Sequence, residues 1–365
     1  MDWIDTYSVN SQPGSQLTIT GEIPYEYLQK FRSKAVSRIG SNLKIDGFRP
    51  GHIPEKVIIE KVGEMTILND MAEMALSKIY PEILSKHKID AIGQPQISVT
   101  KLATNNPFGF TITTAVMPEV KLPDYKKIAE EINKERKETV VSDEELDAQI
   151  KEIMKQKLEY EKSLKKSQSS LDSNEVTELP TPDTIDKKDD ELPELTDEYV
   201  KSLGSENQFL SVEDFKNKLR KHLLIEKTNN EQSKHRAKIT DQIMDKCEVE
   251  TPEVLVQFEL EQIFGQMQDD LKRANLSMDD YLSHAKKTKD DLIKEWRPLA
   301  IKRATLQLIL NQIAQTDNIE PEESLVNRNV ESIMKEHKDA DPEKIKTYVH
   351  SVLRNEEVMR KLESL

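Results

Sequence analysis

Residues 45–54 read IDGFRPGHIP, and no hydrophobic core asks for a Phe-Arg pair set between two glycines. Ile45 and Ile53 can pin the two ends of a loop onto a domain, while Gly47 and Gly51 permit tight backbone turns between them. Pro50 pushes Arg49 out of helical geometry into an extended conformation. The residues alone leave two outcomes open. Either a stiff tip presents Phe48 and Arg49 to solvent, or the turn folds Phe48 back into the core. An exposed aromatic beside an exposed Arg is the pairing most enriched in interface hot spots.

Upstream of the loop, SQLTITGEI sets Leu17, Ile19 and Ile23 on one side with period two, the pattern of a half-buried strand. Pro24 then opens a helix in which Leu28, Phe31, Ala35, Ile39 and Leu43 form an apolar face. Lys30, Lys34 and Arg38 recur four apart on roughly the opposite side, as a basic stripe. Downstream, PEKVIIEKVG reads as a short helix and Glu64 to Lys88 as a longer one, with Ile67, Met71, Met74, Ala75, Ile79 and Ile83 inward and a kink at Pro81. QPQISVTKLA and FGFTITTAVMPEV are strands joined through an Asn105-Asn106-Pro107 turn. The expectation for 1–125 is an α+β domain, an antiparallel sheet of one early and two late strands with helices inserted.

Residues 126–164 form a connection and a helix, begun by Ser142 with Glu145 completing a capping box. Residues 165–190, rich in Ser, Asp, Thr and Pro, offer too little apolar surface to offset chain entropy and read as a flexible linker. From 191 to 365 the pattern is all-α. Ser211 to about Cys247 runs without Gly or Pro, and its middle, KTNNEQSKHRAK, is polar all round, which predicts a solvent-bridging arm. Thr251-Pro252 and Asp341-Pro342 start further helices, with the apolar DDLIKEWRPLAIKRATLQLILNQIAQ between them.

Charged residues make up 33% of the chain and apolar ones 36%, which predicts an elongated overall shape with limited interior. The net charge of −14 argues against bulk electrostatic binding to nucleic acid or anionic membrane. No membrane span or signal peptide is visible, so a cytoplasmic location is expected. The lone Cys247 fits a reducing compartment and reads as a quiet, half-buried thiol. Metal-ligand, nucleotide-binding and nucleophile motifs are missing, which predicts no cofactor, no metal and no catalytic residue. The seven histidines are scattered and read as solvated surface.

IDGFRPGHIP, preceded by a basic helix and followed by EKVIIEKVG, resembles the ribosome-binding signature of trigger factor, a bacterial chaperone family. ELPELTDEYVKSLG at 191–204 is similar to the opening of that family's helical C-terminal domain, and the resemblance covers about 1–160 and 191–365. It implies that Gly47, Phe48, Arg49, Pro50 and Gly51 dock at the ribosomal exit tunnel, on a ribosomal protein and adjacent ribosomal RNA. Pro50 and His52 stand where the family usually carries positive charge, which predicts weaker and less salt-dependent docking. Lys30, Lys34, Arg38 and Lys44 are the supporting basic contacts that could compensate.

The family commonly inserts a peptidyl-prolyl isomerase domain where this chain has only the linker, so a trigger factor without isomerase activity is expected. It would act as an ATP-independent holdase that shields nascent and unfolded polypeptides. Phe258, Ile263, Phe264, Met267, Leu306, Leu310 and Ile313 are candidate client contacts, with helix-packing core as the competing reading. Relatives pair weakly, though no heptad seam here demands a homodimer. The alternatives are a peptidyl-prolyl isomerase of this family and a helical adaptor with no ribosome binding.

Overall fold

In the computed structural model, residues 7–45, 48, 52–136, 138–169, 192–204 and 208–365 are described. The alternation at Leu17, Ile19 and Ile23 builds β2 (Gln16–Ile23), which pairs with β4 (Phe108–Val116), itself paired with β3 (Ala91–Lys101). A fourth strand was not expected. β1 (Tyr7–Gln12) pairs with β2, so the antiparallel sheet runs in the order β1-β2-β4-β3. The hairpin between β1 and β2 turns through consecutive left-handed residues, Gly14 (φ 81°) and Ser15 (φ 51°). Asn105, at φ 58°, makes the turn that joins β3 to β4.

Three helices lie between β2 and β3 in the chain: α1 (Tyr25–Asn42), α2 (Glu55–Val62) and α3 (Glu64–His87). Ile67, Met71, Ala75, Ile79 and Ile83 of α3 and Leu28 and Ala35 of α1 are buried in one core with Ile19, Ile23, Phe108, Phe110 and Ile112 of the sheet. Each large aliphatic side chain buried there contributes about 1.5–3 kcal/mol before chain entropy is counted. Pro81 is accommodated within α3.

The rest is helical: α4 (Tyr125–Asn133), α5 (Asp143–Ser169), α6 (Asp197–Lys201), α7 (Val212–Asp245), α8 (Glu253–Arg273), α9 (Met278–Ala285), α10 (Lys289–Thr316), α11 (Glu323–Glu336) and α12 (Pro342–Glu363). α4, α9 and α11 went unread in the sequence. α5 passes Leu164 and reaches Ser169, and residues 170–190 of the expected linker lie outside the described residues.

The chain forms two compact units, Met1–Tyr125 with Ile243–Val358, and Lys126–Gln242 with Met359–Leu365. In the first, the segment before α8 is fastened to the sheet domain. Glu248 forms a β-bridge with Lys121, and the Glu250 carboxylate accepts from the Gly14 amide at 2.5 Å. α8 and α10 pack through Val256, Leu260 and Ala300, with Arg297 bridging to Glu253. Cys247 is half-buried there, its thiol 3.3 Å from the Lys121 carbonyl and its pKa pushed up by burial.

In the second unit, Leu146, Ile150, Met154, Val200 and Phe215 form a separate core. The capping box is present: the Glu145 amide donates to Ser142 Oγ and the Ser142 amide to Glu145 Oε2, each at 3.1 Å. The polar middle of α7 is not the bare solvent bridge its composition predicts. Gln232 and Arg236 bind Glu363, whose side chain is 9% exposed, and His235 binds Asn133. Its hydrophilic residues are used in contacts between elements.

Candidate functional site

Residues 43–54 connect α1 to α2, and the two helices are held close where the loop leaves them. A Cβ on Gly40 would lie 2.8 Å from Ile58 Cδ1, so the backbone of α1 sits directly against the buried Ile58 of α2. Arg32 of α1 spans to Glu55 at 2.8 Å and forms a two-pronged contact with Glu64 at 2.5 and 2.9 Å, joining α1 to α2 and α3. The hydrogen bond from Arg32 holds the Glu64 carboxyl below the usual range.

Of the two proposed anchors, Ile53 is buried and Ile45 half-buried. The Phe48 amide donates to the Ile45 carbonyl at 3.1 Å. Phe48 does not fold back into the core: it is 40% exposed. Gly47, Arg49, Pro50 and Gly51 lie outside the described residues, and His52 is exposed.

The basic residues divide into two kinds. Arg38 is captured: its guanidinium holds both carboxylate oxygens of Asp70 and reaches Glu73 at 3.0 Å, and these bonds push its pKa up. It ties α1 to α3, so its charge is shared with two carboxylates. Lys30 lies over the Tyr27 ring at 5.1 Å, and the exposed Lys34 and Lys44 have no carboxylate partner among the described residues. Among these described basic residues of α1 and the loop's start, the charges without a carboxylate partner are lysines.

The candidate client residues separate as well. Phe258 on α8 is 55% exposed, and Ile263, Phe264, Met267 and Leu306 are half-buried. Leu310 and Ile313 are buried in α10 and are corrected to core, because helical spacing cannot distinguish an inward from an outward apolar face. Two exposed residues of α10, Leu299 and Ile301, were missed. They flank the buried Ala300, and an apolar pair around a small buried residue was the available signal.

The family model described as bacterial trigger factor protein matches residues 6–153, and that of the bacterial trigger factor C-terminus matches 211–363. The chain belongs to the trigger factor family. A trigger factor of Halothermothrix orenii is 24% identical over 399 aligned residues, which span 92% of this chain and 91% of that one. One of Listeria innocua is 22% identical, over 89% of this chain and 90% of its own. A solved trigger factor chaperone, described for promiscuous substrate recognition in folding and assembly, covers 98% of this chain and 99% of its own at a TM-score of 0.50. At 15% identity that likeness concerns the fold. The loop and the α1–α2 pair fall inside the first trigger factor match and α8 and α10 inside the second, with 154–210 between the two. Among the described residues no helix is long and apolar enough to cross a membrane, and no group of three or more His, Cys, Asp or Glu residues is placed to hold a metal ion.

Proposed function

We propose that this trigger factor is an ATP-independent holdase of the cytoplasm, docked at the ribosomal exit tunnel through Gly47, Phe48 and Arg49. One observation carries the docking reading: Phe48 is exposed on a loop whose far end, Ile53, is buried. Interface hot spots are enriched in aromatic residues and Arg, and Phe48 stands next to Arg49 in the sequence. The partners are a ribosomal protein and the adjacent ribosomal RNA, with Lys30, Lys34 and Lys44 as supporting cations. Ribosome co-sedimentation tests this. Phe48→Ala with Arg49→Ala is expected to lower the bound fraction about tenfold or more, and unchanged binding would remove the loop as the anchor.

Client segments are held on α8 and α10, where Phe258, Leu299 and Ile301 are exposed beside the half-buried Ile263, Phe264 and Met267. Met and aliphatic side chains repack around many sequences, which suits a surface for unfolded chains. The same reading makes the chain a non-enzyme. The segment between the two family matches has no aromatic residue from Glu161 to Glu198, too few large side chains for the sheet and proline pocket of an isomerase domain. A prolyl-peptide assay is expected to give no turnover above the uncatalysed rate. Free molecules pair weakly if at all, as the charge of −14 opposes self-association.

A further inference from the structure

The core face of the sheet continues past its cover at β3. Ile19, Ile112 and Ile97 are direct cross-strand partners in one row, and Gly21, Phe110 and Val99 form the next row on the same face. Ile19 and Ile112 are fully buried and Phe110 nearly so, yet Ile97 is 48% and Val99 52% exposed. β3 is also an edge strand. Among the described residues no backbone bond reaches its outer side between Gly93 and Lys101.

Soluble proteins guard such edges with charge, proline or bulges. Here Pro95 and the register shift between Ile92 and Gln96 guard the first half, while Gln96–Thr100 has neither charge nor proline and meets the second register shift, between Val99 and Lys101, only at its far end. A helix laid on Ile97 and Val99 would cover the side chains and leave the edge unpaired; only an extended strand satisfies both. A second copy of this chain fits poorly. Each copy carries −14, and a pairing five residues long buries far less than the roughly 1,200 Å² of a stable interface.

We propose that the outer edge of β3 is a strand-addition site that takes an extended, uncharged client segment, with aliphatic side chains at alternate positions, as a fifth strand. Backbone pairing would supply affinity without regard to sequence, and Ile97 and Val99 would select apolar residues at every second position. This rests on the client-binding reading above and adds a second, geometrically different client site to it.

The test uses the full chain and a labelled, blocked peptide of alternating threonine and valine, compared with the same peptide N-methylated along both edges. N-methylation keeps the side chains and removes the donors. Wild type is expected to bind the unmodified peptide, and the methylated one about tenfold more weakly or worse. Ile97→Lys with Val99→Lys is expected to lose about as much. Ile97→Thr with Val99→Thr, which keeps strand propensity, guards against misfolding and is expected to fall between.

Equal binding of the methylated peptide, an unaffected lysine variant, or no binding by wild type would overturn the proposal. So would a concentration-dependent dimer in sedimentation that the lysine pair abolishes, since the occupant would then be a second copy. Suppression of aggregation of a chemically denatured protein separates the two readings. If wild type suppresses it but ignores the peptide, only the strand site fails; if it does neither, client binding fails as well.

Discussion

A single amide at position 133 decides which nitrogen of a histidine carries the proton. Asn133 Nδ2 donates to the Leu362 carbonyl at 2.8 Å and the Leu365 carbonyl at 3.3 Å, which turns its Oδ1 toward His235 Nε2 at 2.7 Å. An oxygen acceptor requires a donor, so His235 is protonated on Nε2. Burial, and then the positive charges of Arg136 and Lys238, lower its pKa from the ordinary 6.5, with Glu363 pulling the other way. A histidine depressed in this way binds fewer protons folded than unfolded. Its contribution to stability is whole above pH 6.5 and is lost as pH falls through the folded value. His235→Gln is expected to flatten the acid side of the stability profile below pH 6.5, and an NMR titration should place the His235 midpoint under 6.5. A midpoint at or above 6.5 would contradict the burial argument. The sequence read this histidine as surface because its partner lies 102 residues away in the chain, and no local pattern marks such a contact. The ion pair of Arg38 went unforeseen for the same reason, with Asp70 32 residues distant.

The α1–α2 pair was legible as two helices and illegible as a closely packed pair. Helical periodicity gave Leu28, Ala35 and the apolar face, because that face is what burial selects. It says nothing of Gly40, which has no side chain to enter a pattern, yet the closeness of the two helices depends on it. Gly40→Ala gains about 1 kcal/mol of helix propensity against a contact that the end of Ile58 can partly relieve, so it is expected to be near neutral. Gly40→Val adds two further methyl groups against Ile58, which is 1% exposed, more than a rotation of its end can relieve. A loss of about 1–3 kcal/mol in urea unfolding is expected, together with weaker ribosome co-sedimentation, because α2 carries the buried end of the loop. A variant with unchanged midpoint would show that α1 and α2 are not packed as described. β1 escaped the reading for a different reason: its apolar alternation is only Tyr7 and Val9, shorter than any window that distinguishes a strand from a polar terminus.

For the molecule as a whole, the proposed docking raises the question of how a chain of charge −14 approaches an RNA-rich particle. Attraction must come from a few local cations within about a Debye length of the contact, roughly 8 Å at physiological salt. Asp70 and Glu73 offset the charge of Arg38, and Pro50 and His52 put no fixed positive charge on the loop. What is left is Arg49 with Lys30, Lys34 and Lys44. Each cation that neutralises a phosphate contributes about 0.7–0.9 to the slope of log affinity against log salt. The wild-type slope for ribosome binding is therefore expected to be small, about 4 in magnitude or less. Lys34→Ala with Lys44→Ala should reduce it by about 1.5 while leaving unfolding in urea unchanged. Arg38→Ala should do the reverse, leaving the slope alone and lowering the urea midpoint slightly, as the loss of an exposed ion pair does. If Arg38→Ala instead flattens the salt dependence as much as the lysine pair does, its contacts with Asp70 and Glu73 open on the ribosome, and the division of α1 into structural arginines and free lysines is wrong.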